Sequence, residues 1–197
     1  LIGLNYLAHA YLFQGNPDVR FGNLIADFVK GRQIQSYNPM VQEGIRIHRF
    51  IDVFTDKHPL IHQAVDFFKP QYRFSGPVFV DILLDHFLAN DITRFENDTL
   101  MEFTRDVYLM IQERTHLLNE EMTKFFGYME EYNWLYHYKN REGIEKSIRG
   151  ICKRYPVLGD ADPALEIFES RFHDLQEIYE DFFPQLHEEV IKNFQLP

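Results

Sequence analysis

Gly44-Ile-Arg-Ile-His-Arg-Phe-Ile-Asp-Val-Phe-Thr-Asp56 is the stretch that decides the fold class. On a helix, His48, Asp52 and Asp56 fall at i, i+4 and i+8, and Thr55 lies at i+7 from His48, so the four make one polar stripe. Ile45, Ile47, Ile51 and Phe54 point in other directions. The same three-and-four spacing of apolar residues recurs near 42–55, 78–90, 99–111 and 164–182, and no run alternates as a strand would. The breaks between these segments are short. They include Gly15-Asn16-Pro17, Ser36-Tyr37-Asn38-Pro39, Lys57-His58-Pro59, Ser75-Gly76-Pro77, Asn140 to Gly143, Tyr155 to Pro163 and Phe183-Pro184. None is long enough to act as a linker between separate domains. The pattern predicts an all-α fold: a single multi-helix domain over 1–197 with seven to nine helices. Asn16-Pro17 and Asp162-Pro163 look like caps followed by Pro at the first helical position, and Pro59 and Pro184 are expected to begin helices.

With 197 residues, 45% hydrophobic and 25% charged, the chain has an ordinary globular balance and enough length for one sizeable core. No apolar run is long enough to cross a membrane as a helix. A single cysteine, Cys152, excludes an internal disulfide framework and fits a reducing compartment. The opening LIGLNYLAHAYL lacks the basic start and small-residue cleavage site of a secretory leader, so a cytoplasmic location is expected. The net charge of −10 is unevenly spread. Residues 160–190 hold ten acids against one base, Arg171, and leave the rest near neutral. That balance disfavours a nucleic-acid partner. It still allows a basic face built from Arg20, Lys30, Arg32, Arg46, Arg49 and Lys57.

The chemical signal is a set of ionisable residues inside apolar segments, where carboxylates are rarely buried without a partner. Besides the His48/Asp52 stripe there is DILLDHFLA, in which Asp81 and Asp85 are i, i+4 and His86 follows about 100° round the helix. Asp27 sits inside NLIADFVKG, and His9 inside NYLAHAYL. All but Asp27 have a plainer explanation. The first is a His–Asp pair on a helix surface, the second a helix facing water through Asp81 and Asp85, and the last a packed core histidine. His58 and His62 straddle a proline and are expected at the surface or in an accessory role. All seven strong candidates, His9, Asp27, His48, Asp52, Asp81, Asp85 and His86, lie in the first half of the chain. Histidine and carboxylate ligands without thiolate suit Mn²⁺, Mg²⁺, Fe²⁺ or Zn²⁺. Such an ion ionises water and stabilises a phosphoryl oxygen, and Lys30, Arg49 and Arg73 are placed to hold a phosphate. No nucleotide-binding glycine loop and no nucleophile elbow is present. The residues therefore read as an all-helical metal phosphohydrolase, against the alternative of a helical binding protein that keeps these groups for structure.

Four stretches resemble a known family. They are N-Y-L-A-H-A at Asn5–Ala10, G-N-L-I-A-D-F-V-K-G at Gly22–Gly31, G-I-R-I-H-R-F-I-D-x-F-T-D-x-H-P at Gly44–Pro59, and R-x-S-G with D-I-L-L-D-H-F-L-A at Arg73–Ala89. In this order they are similar to the acyl carrier protein phosphodiesterases, helical enzymes likened to the HD-domain metal phosphohydrolases. The resemblance implies hydrolysis of a holo-acyl carrier protein to apo-protein and 4′-phosphopantetheine, with a divalent metal, usually Mn²⁺. It implies His9, Asp27, His48, Asp52, Asp85 and His86 as metal ligands, with Asp27, Asp85 and His86 also carrying catalysis. Lys30, Arg49 and Arg73 would contact phosphate, and Thr55, Asp56 and His58 would orient ligands. His86 or His48 would protonate the leaving serine. Two departures stand out. The order here is Asp85-His86 where an HD doublet is His-Asp, and Pro77 suggests a helix start that leaves Arg73 on a loop. The same metal chemistry on another small phosphoester is the nearest alternative.

Overall fold

A computed structural model describes residues 5–194; the first four residues of the opening stretch read above for a leader lie outside the described residues. Among the described residues there is no strand, and eleven α-helices run in chain order. They are α1 (Tyr6–Tyr11), α2 (Pro17–Ile25), α3 (Pro39–Lys57), α4 (Pro59–Phe68), α5 (Gly76–Ala89), α6 (Thr99–Gln112), α7 (Glu120–Glu131), α8 (Trp134–His137), α9 (Arg141–Arg154), α10 (Asp162–Ser170) and α11 (Phe172–Asn193). The count exceeds seven to nine because α1 and α8 have only six and four residues, too short for a periodic signal. Among the described residues no helix is long and apolar enough to cross a membrane.

Several starts follow local chemistry as expected. The Asn16 side chain accepts the N–H of Asp18 and Val19, with Pro17 in the first turn. Asn38 does the same for Val41 ahead of Pro39. Pro59 opens α4, where His58 accepts the N–H of Leu60 through Nδ1. Two expectations are corrected. Asp162 is the first residue of α10 and makes no cap there; its carboxylate instead meets Arg149 at 2.7 Å. Pro184 lies inside α11 and does not begin a helix. The flanking Phe182, Phe183 and Leu186 are all buried, and their packing holds the helix together through the missing N–H.

Two contacts fix the geometry that matters. Where α2 crosses α3, Gly22 and Gly44 let the backbones touch. A Cβ on Gly22 would lie 2.1 Å from the Val41 carbonyl oxygen, and one on Gly44 would lie 2.0 Å from that of Val19. This crossing brings the end of α2 against the His48/Asp52 face of α3. Gly44→Ala is therefore expected to destabilise the protein by about 3 kcal/mol, since only backbone can yield. Thermal unfolding of the variant against wild type measures it. The second contact is α5, buried at every position except Pro77 and Asp81. Such a helix is a core element packed on all sides, here by α1, α4, α9 and α11. One continuous cluster of buried apolar residues runs from Tyr6 to Val190.

Candidate metal centre

Four side chains from three elements converge where α1, α2 and α3 meet. His9 comes from α1, Asp27 from the 3₁₀ turn Ala26–Phe28 after α2, and His48 and Asp52 from adjacent turns of α3. His48 Nε2 lies 3.2 Å from Asp52 Oδ2 and 3.4 Å from Asp27 Oδ1, and His9 Nε2 lies 3.3 Å from Asp52 Oδ1. The two imidazoles stack at 3.9 Å between centroids. His9 and His48 are buried, while the Asp52 side chain is 40% exposed and forms the open side.

These atoms are close without being hydrogen-bonded. His9 Nε2 and both ring nitrogens of His48 are buried and lack a hydrogen-bond partner among the described residues. Buried polar atoms are nearly always satisfied, so His9 Nε2 and His48 Nε2, both directed at Asp52, ask for a missing partner. The ligand atoms of His9, His48 and Asp52 all lie within 4.8 Å of one another. Donors held about 2.1 Å from one cation stand about 3.0–3.4 Å apart, which is the spacing of the contacts just described. The set fits a divalent metal by this test. Its outer support is also present. Asn23, fully buried one turn before Asp27, places Oδ1 2.8 Å from His9 Nδ1 and donates from Nδ2 to the His9 carbonyl at 2.9 Å. An acceptor at Nδ1 puts the imidazole proton there and leaves Nε2 free to ligate. The Tyr6 hydroxyl donates to Asp27 Oδ2 at 3.4 Å.

The electrostatics agree. Burial alone pushes His48 down, but the Asp27 and Asp52 carboxylates outweigh it and raise its pKa to about 9. Burial raises the Asp52 carboxyl, yet His48 and His9 hold it well below the usual range. Burial, then the charge on His48, keeps His9 low. Of the two histidines, His48 is thus the one that carries the extra proton and the positive charge at pH 7. Ligation needs that nitrogen's lone pair, so at pH 7 uptake of a divalent ion is expected to release about one proton, and apparent affinity should rise roughly tenfold per pH unit up to about pH 9. Calorimetric titrations in buffers of different ionisation enthalpy read this directly. The pair's contribution to the metal-free fold follows the opposite course, full below about pH 6.5 and lost as pH rises through about 9.

Other candidates fall elsewhere, and α5 shows why. Asp81 is the acid of that helix that faces the cluster. Burial first, then the neighbouring Asp52, Asp56 and Asp27 carboxylates, push it well above the ordinary range. Asp85, one turn on, has a different use: its two oxygens accept the N–H of Leu7 at 2.9 Å and of Ala8 at 2.8 Å. Asn5 makes no cap at that helix start, so Asp85 caps α1 from outside and sets the position of His9. His86 points away from the cluster, with Nδ1 2.7 Å from the Tyr138 carbonyl and its ring edge-on to Phe168 and Phe172. Asp85 and His86 are thus engaged by α1 and by the Tyr138 carbonyl, apart from the four converging side chains. Thr55 is buried with a free hydroxyl. Burial and the adjacent Asp52 raise Asp56, and His58 is occupied in capping α4. Arg49 follows His48 and donates to the Val29 carbonyl at 3.1 Å, two residues past Asp27. Lys30 is exposed beside it. Arg73 lies on the turn before α5, its guanidinium 5.1 Å from the exposed Phe74 ring.

The acyl carrier protein phosphodiesterase family profile matches residues 4–186 of this chain. The chain belongs to that family. Proteins named acyl carrier protein phosphodiesterase from Photorhabdus laumondii and Serratia proteamaculans are 30% and 31% identical to it over 188 residues. The match covers 95% of this chain in both cases, and 95% and 97% of the relatives. One from Escherichia coli is 30% identical over 191 residues, with 95% and 97% covered. No solved structure matches the chain. The acyl carrier protein phosphodiesterase match runs through α10 into α11, well past the first 90 residues that carry the readable motifs. Sequence alone passed over Asn23, and among the acids of α5 it favoured Asp85 over Asp81. Asn23 was signalled by its place one turn before Asp27 inside the same quoted stretch.

Proposed function

We propose that this chain is a metal-dependent phosphodiesterase, acting as one domain in the cytoplasm, that cleaves a holo-acyl carrier protein to apo-carrier and 4′-phosphopantetheine. The observation that carries the reading is the convergence of His9, His48 and Asp52 around unpaired buried nitrogens, in a chain of this family. Mn²⁺ is the proposed ion, held by these three with Asp27; it supplies Lewis acidity toward the phosphoryl oxygens and toward attacking water. Asn23 fixes the His9 tautomer, Tyr6 orients Asp27, and Asp52 forms the exposed edge of the cluster. Lys30 and Arg49 are the cations proposed to neutralise the phosphoryl oxygens as the bond to the carrier serine breaks. Mass analysis of holo-carrier incubated with the protein tests this. Loss of the phosphopantetheine mass with Mn²⁺, and none with EDTA, is expected; no loss with any divalent ion overturns it.

A further inference from the structure

A cavity of about 1030 Å³ opens between α7, α8 and α9. That is the upper end of the range for pockets that enclose a small organic ligand. Its walls are aromatic and aliphatic, with Phe28, Ile82, Phe125, Tyr128, Trp134 and Ile151 among them. Four cations, Lys124, Lys146, Lys153 and Arg154, stand against two carboxylates, Glu121 and Glu142, in the same lining. Lys124 and Lys146 pair with the glutamates four residues before them. Among the described residues Arg154 has no carboxylate partner, and it lies over the Tyr155 ring at 5.4 Å.

The cavity is one layer of side chains from the metal centre. Phe28 follows Asp27 directly, and Ile82 follows Asp81. The Phe125 ring lies 5.2 Å from both Phe28 and Tyr6, and the Tyr6 hydroxyl donates to Asp27. Gly150 adds an independent sign. It lies inside α9, lines the cavity, and a Cβ built on it meets nothing within 4 Å. Glycine inside a helix is unfavourable unless something must come close to the backbone. Gly143 on the same helix has such a reason in the fold, the His137 carbonyl; Gly150 has none.

We propose that this cavity binds the 4′-phosphopantetheine arm of the substrate, with the phosphodiester at the Arg154 and Phe28 end and the amide-bearing chain and thiol running along Gly150 past Phe125 and Trp134. The inference rests on the hydrolase reading for its ligand and adds where the ligand lies. The phosphodiester is anionic and must reach the His/Asp cluster; Phe28, next to Asp27, forms the cavity wall on that side, and Arg154 supplies a cation in the same lining. Cleavage at phosphorus leaves the arm bound as product in the same place.

Trp134 is the only tryptophan in the chain and sits in the cavity wall, so its emission reports occupancy. The experiment titrates 4′-phosphopantetheine, and separately unphosphorylated pantetheine, into wild-type protein, Gly150→Phe and Arg154→Gln, with circular dichroism to show that each variant folds. A saturable emission change is expected in wild type. Affinity for both probes should fall at least tenfold in Gly150→Phe. In Arg154→Gln it should fall for the phosphorylated probe alone. No saturable change in wild type, or equal affinity in wild type and both variants, overturns the assignment; equal losses for the two probes in Arg154→Gln overturn the orientation. These titrations involve no hydrolysis. Wild type that cleaves holo-carrier but shows no Trp134 response refutes the cavity and leaves the hydrolase reading standing. Saturable binding with no cleavage refutes the hydrolase reading instead.

Discussion

His48→Ala is expected to lower kcat/KM for holo-carrier by at least about a thousandfold while the chain stays folded. His48 Nε2 is the atom that both Asp27 and Asp52 approach, at 3.4 and 3.2 Å. Without it the cation loses one nitrogen and two carboxylates lose their common neighbour. An ion at a reacting phosphoryl group stabilises charge by several kcal/mol, and about 1.4 kcal/mol is a tenfold change in rate. Asp52→Asn is the gentler companion. It keeps the shape of a side chain that is 40% exposed, so above about pH 9, where the His48 pairing no longer contributes, the melting temperature should move little, yet it removes a ligand charge. Steady-state kinetics with added Mn²⁺ measures both variants. Near-wild-type rates in either would mean that the cluster is structural.

Asp85→Ala is expected to fail differently, through the fold. The Asp85 carboxylate is fully buried and occupies the Leu7 and Ala8 N–H groups. Truncation strands two buried donors, each costing about 1–3 kcal/mol, and uncaps the helix that carries His9. The expected loss is about 3–5 kcal/mol, or roughly 6–20 °C in melting temperature for a chain of this size. Asp85→Asn keeps one acceptor and should recover about half. Scanning calorimetry above about pH 9, beside Mn²⁺ affinity, separates the two cases: in Asp85→Ala stability and affinity fall together, in Asp52→Asn affinity falls alone. An Asp85→Ala protein of unchanged stability and no activity would return this residue to the reaction itself.

The contrast between Asp81 and Asp85 shows what a sequence can and cannot tell. Helical period made the all-α class legible, and the His48/Asp52 stripe survives as an i, i+4 pair on α3 because a single helix determines it. Asp81 and Asp85 share one face of α5 by the same rule. Which of them meets the His/Asp cluster depends on what packs across each turn. The start of α1 lies opposite Asp85, and the carboxylates of α3 opposite Asp81. Nothing within α5 encodes that choice. The same holds for His9, whose apolar surroundings suit a packed core histidine. Only the α2–α3 crossing at Gly22 and Gly44, and the Asn23 bond, turn its Nε2 toward Asp52. Pro184 was misplaced because a proline reads locally as a break, whereas the buried phenylalanines before it hold α11 intact. The cavity beside α9 had no signal, since its walls are assembled from α7, α8 and α9 together with Phe28 and Ile82 from elsewhere in the chain.

The most direct test of the metal centre is uptake of Mn²⁺ by protein stripped with EDTA, followed by the paramagnetic resonance of the free ion at pH 8. Stoichiometric uptake by wild type, lost in His48→Ala and weakened in Asp52→Asn, is the predicted result. Uptake that is absent in wild type, or that His48→Ala leaves unchanged, would contradict it.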